Sequence, residues 1–261
     1  MLAERTPLGE DGERRSDWDQ KEMPFTEHLR ELRNRLFVCV ITIAALAVCL
    51  IYPAQLAIPW LTHLYFGNIQ LHAFGPGDAL WAVFKMSIYG AIVLGLPVIL
   101  YQVWMFVVPA VNPKTRRAVY SYIAPSFVLA LAGIAFAHFL VIPRALAGLD
   151  YITEKIAVPT YGIENTLNLV LLMLLAFAIV FQTPVVMLLL ARIGLINSTL
   201  LRKYRKYIGF GMLVAGAVLA PDGSPVTMCL IAGPMYVLFE SSIWIIVLLE
   251  RSWKREAAAG R

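Results

Sequence analysis

The chain has 261 residues, of which 59% are hydrophobic and 15% charged, and a mean hydropathy of +0.70. A soluble globular domain carries about 25% charged residues, so that class is excluded and the chain reads as an integral membrane protein. Its basic excess, 22 Lys and Arg against 17 Asp and Glu, does not point to nucleic acid, because where the bases lie matters more than their sum.

Residues 1–22 show no pattern that would bury anything and read as a disordered polar tail. Arg14-Arg15 lies there, but Ser-Asp-Trp-Asp-Gln-Lys-Glu follows it, not the apolar run of an export signal. Residues 24–36 read as an amphipathic helix continuous with the first apolar segment. At about 100° per residue, Phe25, Leu29, Leu32 and Leu36 form one stripe, with Glu27, Glu31 and Asn34 opposite. Glu27–Arg30 and Glu31–Arg35 pairs would make that polar face a solvated one. The same two carboxylates would also suit a docking face for a cationic ligand at a membrane surface, and both readings stand at this point.

Crossing a hydrocarbon layer of about 30 Å takes roughly 20 apolar residues. On that measure residues 23–250 form one transmembrane domain of six helices, with spans over 36–52, 79–108, 118–142, 165–191, 207–220 and 226–249, and a tail over 251–261. The first span is expected to stop at Pro53 and to be retained, since no small-residue cleavage site follows it. Residues 53–78 hold no Lys or Arg, and Gly75-Pro76-Gly77-Asp78 reads as a turn. The fifth span is short: about 14 residues at 1.5 Å rise give about 21 Å, so it must thin the bilayer or lean on its neighbours.

The bases of the leader, of loop 109–117, of loop 192–206 and of the tail from Arg251 all fall on one side of these spans. The other side has only Arg144 and Lys155, and Lys85 lies within a span. Positive residues stay cytoplasmic, which predicts a multi-pass plasma-membrane protein with both termini inside.

Ionisable groups within a span mark functional sites by default. Glu240 in span 6 has no partner in its neighbourhood, so one must come from another helix or from water. Gln182 lies mid-span beside Thr183 and Pro184, and Pro184 frees a carbonyl that nearby polar side chains can satisfy. Lys85 and His138 lie near the outer boundary, where Lys85 can snorkel. Cys39, Cys49 and Cys229 lie in apolar stretches with no metal or redox spacing. His28, His63, His72 and His138 are scattered, and no hydrolase, zinc-protease or phosphate-loop motif occurs. No enzyme, metal site or cofactor is expected.

Four stretches carry a resemblance: His28-Leu29-Arg30-Glu31-Leu32-Arg33-Asn34-Arg35-Leu36 before span 1, Pro97 to Phe106 leading to Pro109-Ala110, Phe181-Gln182-Thr183-Pro184-Val185, and Pro234 to Glu240. In order and spacing they resemble TatC, the polytopic subunit of the twin-arginine protein translocase, over residues 23–250. The resemblance implies a signal-peptide receptor that binds paired arginines at its cytoplasmic face. With single-span TatA-type and TatB-type subunits it would export folded proteins using the proton-motive force, as a homo-oligomer within the receptor complex. It assigns signal binding to Glu31, with Arg33, Phe106 and neighbouring His28 in the same region. Where many members have an acid before the loop arginines, this chain has Thr115, and Glu27 is the expected substitute. Gln182 stands where an acid is often found and fits docking of a partner helix, beside Pro184. Asp222, in Pro221-Asp222-Gly223, stands in the turn after span 5. The competing readings are a small-molecule or ion transporter with Glu240 and Lys85 on its path, although no internal repeat appears, and a scaffold whose basic loops bind anionic lipid.

Overall fold

The computed structural model describes residues 25–67, 69, 71–110, 116, 119–155, 158, 160–220 and 225–259. The tail 1–22, Thr115 and Asp222 lie outside the described residues. Among the described residues eight α-helices are named in chain order: α1 (Phe25–Phe66), α2 (Asp78–Val107), α3 (Ile123–Phe136), α4 (Ile142–Glu154), α5 (Ile163–Val180), α6 (Thr183–Arg192), α7 (Ser198–Leu219) and α8 (Pro225–Ala259). A 3-10 turn, Val108–Ala110, ends α2, and a π turn, Ala137–Val141, joins α3 to α4. The architecture is all-helical; the one β feature among the described residues is a parallel bridge between His72 and Gly162, which ties two connections together at the end opposite the basic loops.

Among the described residues five stretches are long and apolar enough to cross a membrane: Thr26–Phe66, Asp78–Val107, Val119–Tyr151, Ile163–Arg192 and Thr227–Glu250. The expected fifth of six spans is the exception. Its helix, α7, has ample length, but Arg202, Lys203, Arg205 and Lys206 occupy its first half, leaving Tyr207–Leu219 as the apolar part.

The helix ends depart from the sequence expectation in three places. Pro53 does not stop α1, which runs through Pro53 and Pro59 to Phe66; at 1.5 Å per residue it is about 63 Å long. The missing proline N–H is tolerable where no water competes and the ring projects to the exposed side; Pro53 and Pro59 are both exposed. The third span does not end near residue 142, because the π turn carries the helix on into α4 as far as Glu154. Pro184 breaks the fourth span into α5 and α6 at Phe181-Gln182. The carbonyl of Val180, which the Pro184 nitrogen would otherwise have met, accepts from the Thr183 hydroxyl at 2.7 Å.

Packing is uneven. α2 lies against α1, α3 and α5, α3 against α5, and both α6 and α7 against α8. The largest core joins the distal part of α1 (Ile58, Leu61, Phe66) to Ala137, Val141 and Ile142 around the π turn, Leu167, Val170 and Phe177 of α5, and Ile231 of α8. Smaller cores at the basic end form around Trp104, Val119 and Val185, and around Met187, Leu201, Phe239 and Ile246. Two helix crossings depend on glycine. A Cβ on Gly133 would lie 2.4 Å from the Phe177 carbonyl oxygen, and one on Gly216 would lie 2.8 Å from that of Met228. Small residues let membrane helices approach this closely. At the end away from the basic loops, Asp78 accepts from the Phe74 and Gly75 amides at 2.8 and 2.9 Å, which makes 75–78 the expected turn. The Tyr161 hydroxyl donates to Asp150 there. Burial, and then that hydrogen bond, push its pKa up to about 12.

Candidate functional site

The first turns of α1 stand at the basic end with little beneath them. Residues 26–53 contain no fully buried side chain; this half of α1 packs along α2, with Leu46 and Leu50 on Gly95 and Gly90. The helix is amphipathic as expected, but it is turned the opposite way from a helix on a soluble core. Leu29, Leu32 and Leu36 are 47%, 41% and 60% exposed, whereas His28, Glu31 and Arg35 are half-buried. In a membrane protein lipid or a partner covers the apolar stripe, so the polar stripe is free to close on its neighbour.

Arg35 makes that closure. Its Nη1 donates to Gln102 Oε1 of α2 at 3.1 Å, while Nε and Nη2 both donate to Glu31 Oε1 at 2.9 and 2.5 Å. Two of the three guanidinium nitrogens are therefore spent on one carboxylate oxygen and the third on Gln102. Glu31 Oε2 is buried and has no hydrogen-bond partner among the described residues. A buried acceptor left unpaired costs about 1–3 kcal/mol, more when charged, so a donor brought to this oxygen would be favoured. Around it opens a cleft of about 920 Å³, lined by Thr26, Glu27, Arg30, Glu31, Asn34, Arg35 and Val38 of α1 and Gln102 of α2. At its edge His28 stacks on Phe106, with ring centroids 4.3 Å apart and planes 16° from parallel.

Of the residues singled out for signal binding, Glu27 and Glu31 share this cleft and His28 and Phe106 form one contact. Arg33 is exposed and is not among the residues lining the cleft, since it points about 200° around the helix from Glu31. Thr115 lies outside the described residues. The expected Glu31–Arg35 pair forms, whereas a Glu27–Arg30 pair does not form among the described residues. Gln102 is the member the sequence reading missed. It stands in the quoted 97–106 stretch, and a lone amide among apolar residues was the available signal.

The intramembrane polar groups all find partners within the chain. Glu240 of α8 pairs with Arg205 of α7, whose Nε also donates to the Tyr236 hydroxyl at 3.0 Å; those two bonds push the Arg205 pKa up. Lys85 of α2 pairs with Glu164 of α5 at 2.6 Å instead of only snorkelling. His138 lies in the π turn with Nδ1 on the Tyr65 hydroxyl. Gln182 Nε2 donates across the kink to the Ser126 carbonyl of α3 at 3.0 Å and to the Ala178 carbonyl at 3.4 Å. Trp104 Nε1 donates to Ser126 Oγ at 2.8 Å, and so ties α2 into the same junction. Pro184 is buried beside it. Among the described residues no three His, Cys, Asp or Glu gather to hold a metal ion.

Comparison with known proteins accords with this geometry. The family model described as Sec-independent protein translocase protein (TatC) matches residues 27–234. The Sec-independent protein translocase protein TatC of Aquifex aeolicus is 34% identical over 238 residues, covering 89% of this chain and 98% of that one. The TatC of Escherichia coli is 34% identical, covering 85% and 87%. The chloroplastic TATC of Arabidopsis thaliana is 31% identical, covering 89% and 69%. A crystal structure described as the twin arginine translocase receptor TatC superposes with a TM-score of 0.74 at 32% identity, over 85% of this chain and 98% of that one.

Proposed function

This chain belongs to the TatC family of Sec-independent protein translocases, and on that premise we propose that its α1–α2 cleft receives the paired arginines of a signal peptide. It is a membrane-embedded transport component, not an enzyme. The observation that carries the reading is Glu31 Oε2, buried and unbonded among the described residues, in a polar cleft that opens beside Glu27. Guanidinium offers a planar fork that meets a carboxylate with two bonds, which an ammonium cannot do. One signal arginine takes Glu31 Oε2, and the second is met by Glu27, which has no ion pair of its own among the described residues. His28 on Phe106 walls the edge of the cleft, and Thr115 is the position in loop 109–117 where many members carry an acid. Arg33, on another helix face, would act from outside the cleft.

The same reading sets the cleft on the cytoplasmic side. It takes residues 23–250 as one six-span domain, the tails 1–22 and 251–261 as cytoplasmic, and α7 as a short fifth crossing in the plasma membrane. The support is the distribution of Lys and Arg. TatA-type and TatB-type single-span subunits and further copies of this chain would complete a machine driven by the proton-motive force, with the Gln182–Pro184 kink as a docking position and Asp222 at the opposite turn. The transporter reading loses support, since Glu240 and Lys85 are each ion-paired within the chain.

The test is crosslinking of a twin-arginine peptide and its twin-lysine variant to probes placed in residues 24–36 and 109–117. Preferential arginine labelling near Glu31 is expected. Equal labelling by both peptides would leave only a nonspecific anionic surface.

A further inference from the structure

The outer face of the α7–α8 hairpin combines a row of cations with an apolar groove, and neither belongs to the cleft. Residues 202, 206, 209 and 213 recur at helical spacing, so Arg202 and Lys206 stand in line above Gly209 and Leu213 on one face of α7. Gly209 and Leu213, with Cys229, Ala232, Gly233 and Tyr236 of α8, line a groove of about 330 Å³ that is almost wholly apolar. It is open because glycine lies on both walls. A Cβ on Gly233 would meet nothing within 4 Å, and one on Gly209 would meet only the Tyr236 ring at 3.3 Å.

The charges above the groove are sorted. Glu240, one turn beyond Tyr236, would repel an anion, but Arg205 pairs with it and also holds the Tyr236 hydroxyl. Arg202 and Lys206 are exposed and form no ion pair among the described residues. From Arg202 to Leu213 the helix advances about 16 Å, close to the depth of one leaflet of a layer about 30 Å thick. We propose that this face binds one anionic glycerophospholipid, with its phosphate on Arg202 and Lys206 and one acyl chain in the groove between Gly209 and Gly233. The proposal rests on α7 crossing the basic-side leaflet, as inferred above. It does not depend on the role of Glu31.

The full chain, delipidated in detergent, would be titrated with phosphatidylglycerol and with phosphatidylcholine of identical chains, and the bound lipid counted by native mass spectrometry. One phosphatidylglycerol should be retained with a preference on the order of tenfold, since each base near an anionic surface contributes comparably. Arg202→Gln with Lys206→Gln, both surface changes, should erase the preference while the fold by circular dichroism and twin-arginine peptide binding are unchanged. Gly233→Leu should displace the lipid of either headgroup. A wild-type chain without headgroup preference, or a preference that survives the double substitution, would overturn the proposal. Gly233→Leu that blocks a single-span subunit while leaving lipid retention intact would assign the groove to a helix instead. Loss of peptide binding in wild type would strike the Glu31 reading and leave this one standing.

Discussion

Glu31→Gln isolates the charge at the centre of the cleft. It keeps the shape and one acceptor, and removes the carboxylate whose Oε2 is unbonded among the described residues and whose Oε1 holds Arg35. Hydrogen bonds to charged groups contribute about 1.5–3 kcal/mol, and the side chain is only 20% exposed, so screening is partial. The neutral amide should therefore weaken twin-arginine peptide binding by about 2–3 kcal/mol, roughly 30- to 150-fold. Glu31→Ala should abolish it. Part of that loss comes from Arg35, which the substitution leaves in the cleft as an unopposed cation facing an arriving dication. Arg35→Gln separates the two effects: it removes the competitor and should leave binding equal or tighter, and the double variant should recover part of the Glu31→Gln loss. Fluorescence anisotropy of a labelled peptide on the protein in nanodiscs, at two ionic strengths, gives all four corners of the cycle. Glu31→Gln within twofold of wild type would refute the reasoning. Arg35→Gln losing as much as Glu31→Gln would show that Arg35 orients the acid and does not compete for it.

Glu27→Ala should impair peptide binding more than Thr115→Glu improves it; a silent Glu27→Ala removes Glu27 as the substitute acid. Gln182→Leu should lower thermal stability in detergent by about 0.6 kcal/mol, as the mean interhelical bond in a membrane is worth, and weaken crosslinking to a single-span subunit, with peptide binding intact. Equal loss of both functions would mark a folding defect. Tyr161 has a folded pKa of about 12 against about 10 when unfolded, so its contribution is complete below pH 10 and is lost as pH rises through 12. The stability difference between wild type and Tyr161→Phe, followed by chemical unfolding from pH 9 to 12, should shrink over that window; a constant difference would refute the Asp150 contact.

What the sequence made readable was local. The stripe of Leu29, Leu32 and Leu36, the Glu31–Arg35 pair at i,i+4, the turn at Asp78 and the need to satisfy a carbonyl before Pro184 all follow from spacing along one helix. Which way the α1 stripe faces was not readable from spacing, because in lipid the rule of apolar inside no longer orients a helix. Pro53 misled for a related reason: a helix in hydrocarbon has no alternative partner for its amides and continues through proline. Pairs such as Lys85–Glu164, Arg35–Gln102 and Arg205–Glu240 join residues 79, 67 and 35 positions apart, and packing alone brings them together. Glu240 was recognisable as needing a distant partner; its identity was not.

That partner also changes where Glu240 lies. Counted from Pro225 it is deep in an apolar helix, where an ionised acid is costly. Counted across the hairpin it is level with Arg205, which leads the exposed basic turn of α7. Both residues stand about 21–23 Å from the Leu219–Pro225 turn at 1.5 Å per residue, well short of a layer about 30 Å thick. Beyond that level α8 runs on beside the start of α7, where Glu250 accepts from the Ser198 amide and hydroxyl at 2.8 and 2.7 Å. The acid therefore marks the boundary of a thin crossing and not the middle of a full one. With Cys39, Cys49 and Cys229 replaced by Ala, Glu240→Cys should react with a membrane-impermeant thiol reagent added from the basic side, at a rate comparable to Arg202→Cys. Leu213→Cys should stay protected. Protection of position 240 equal to that of 213 would place the ion pair inside the hydrocarbon and return Glu240 to the list of intramembrane charges.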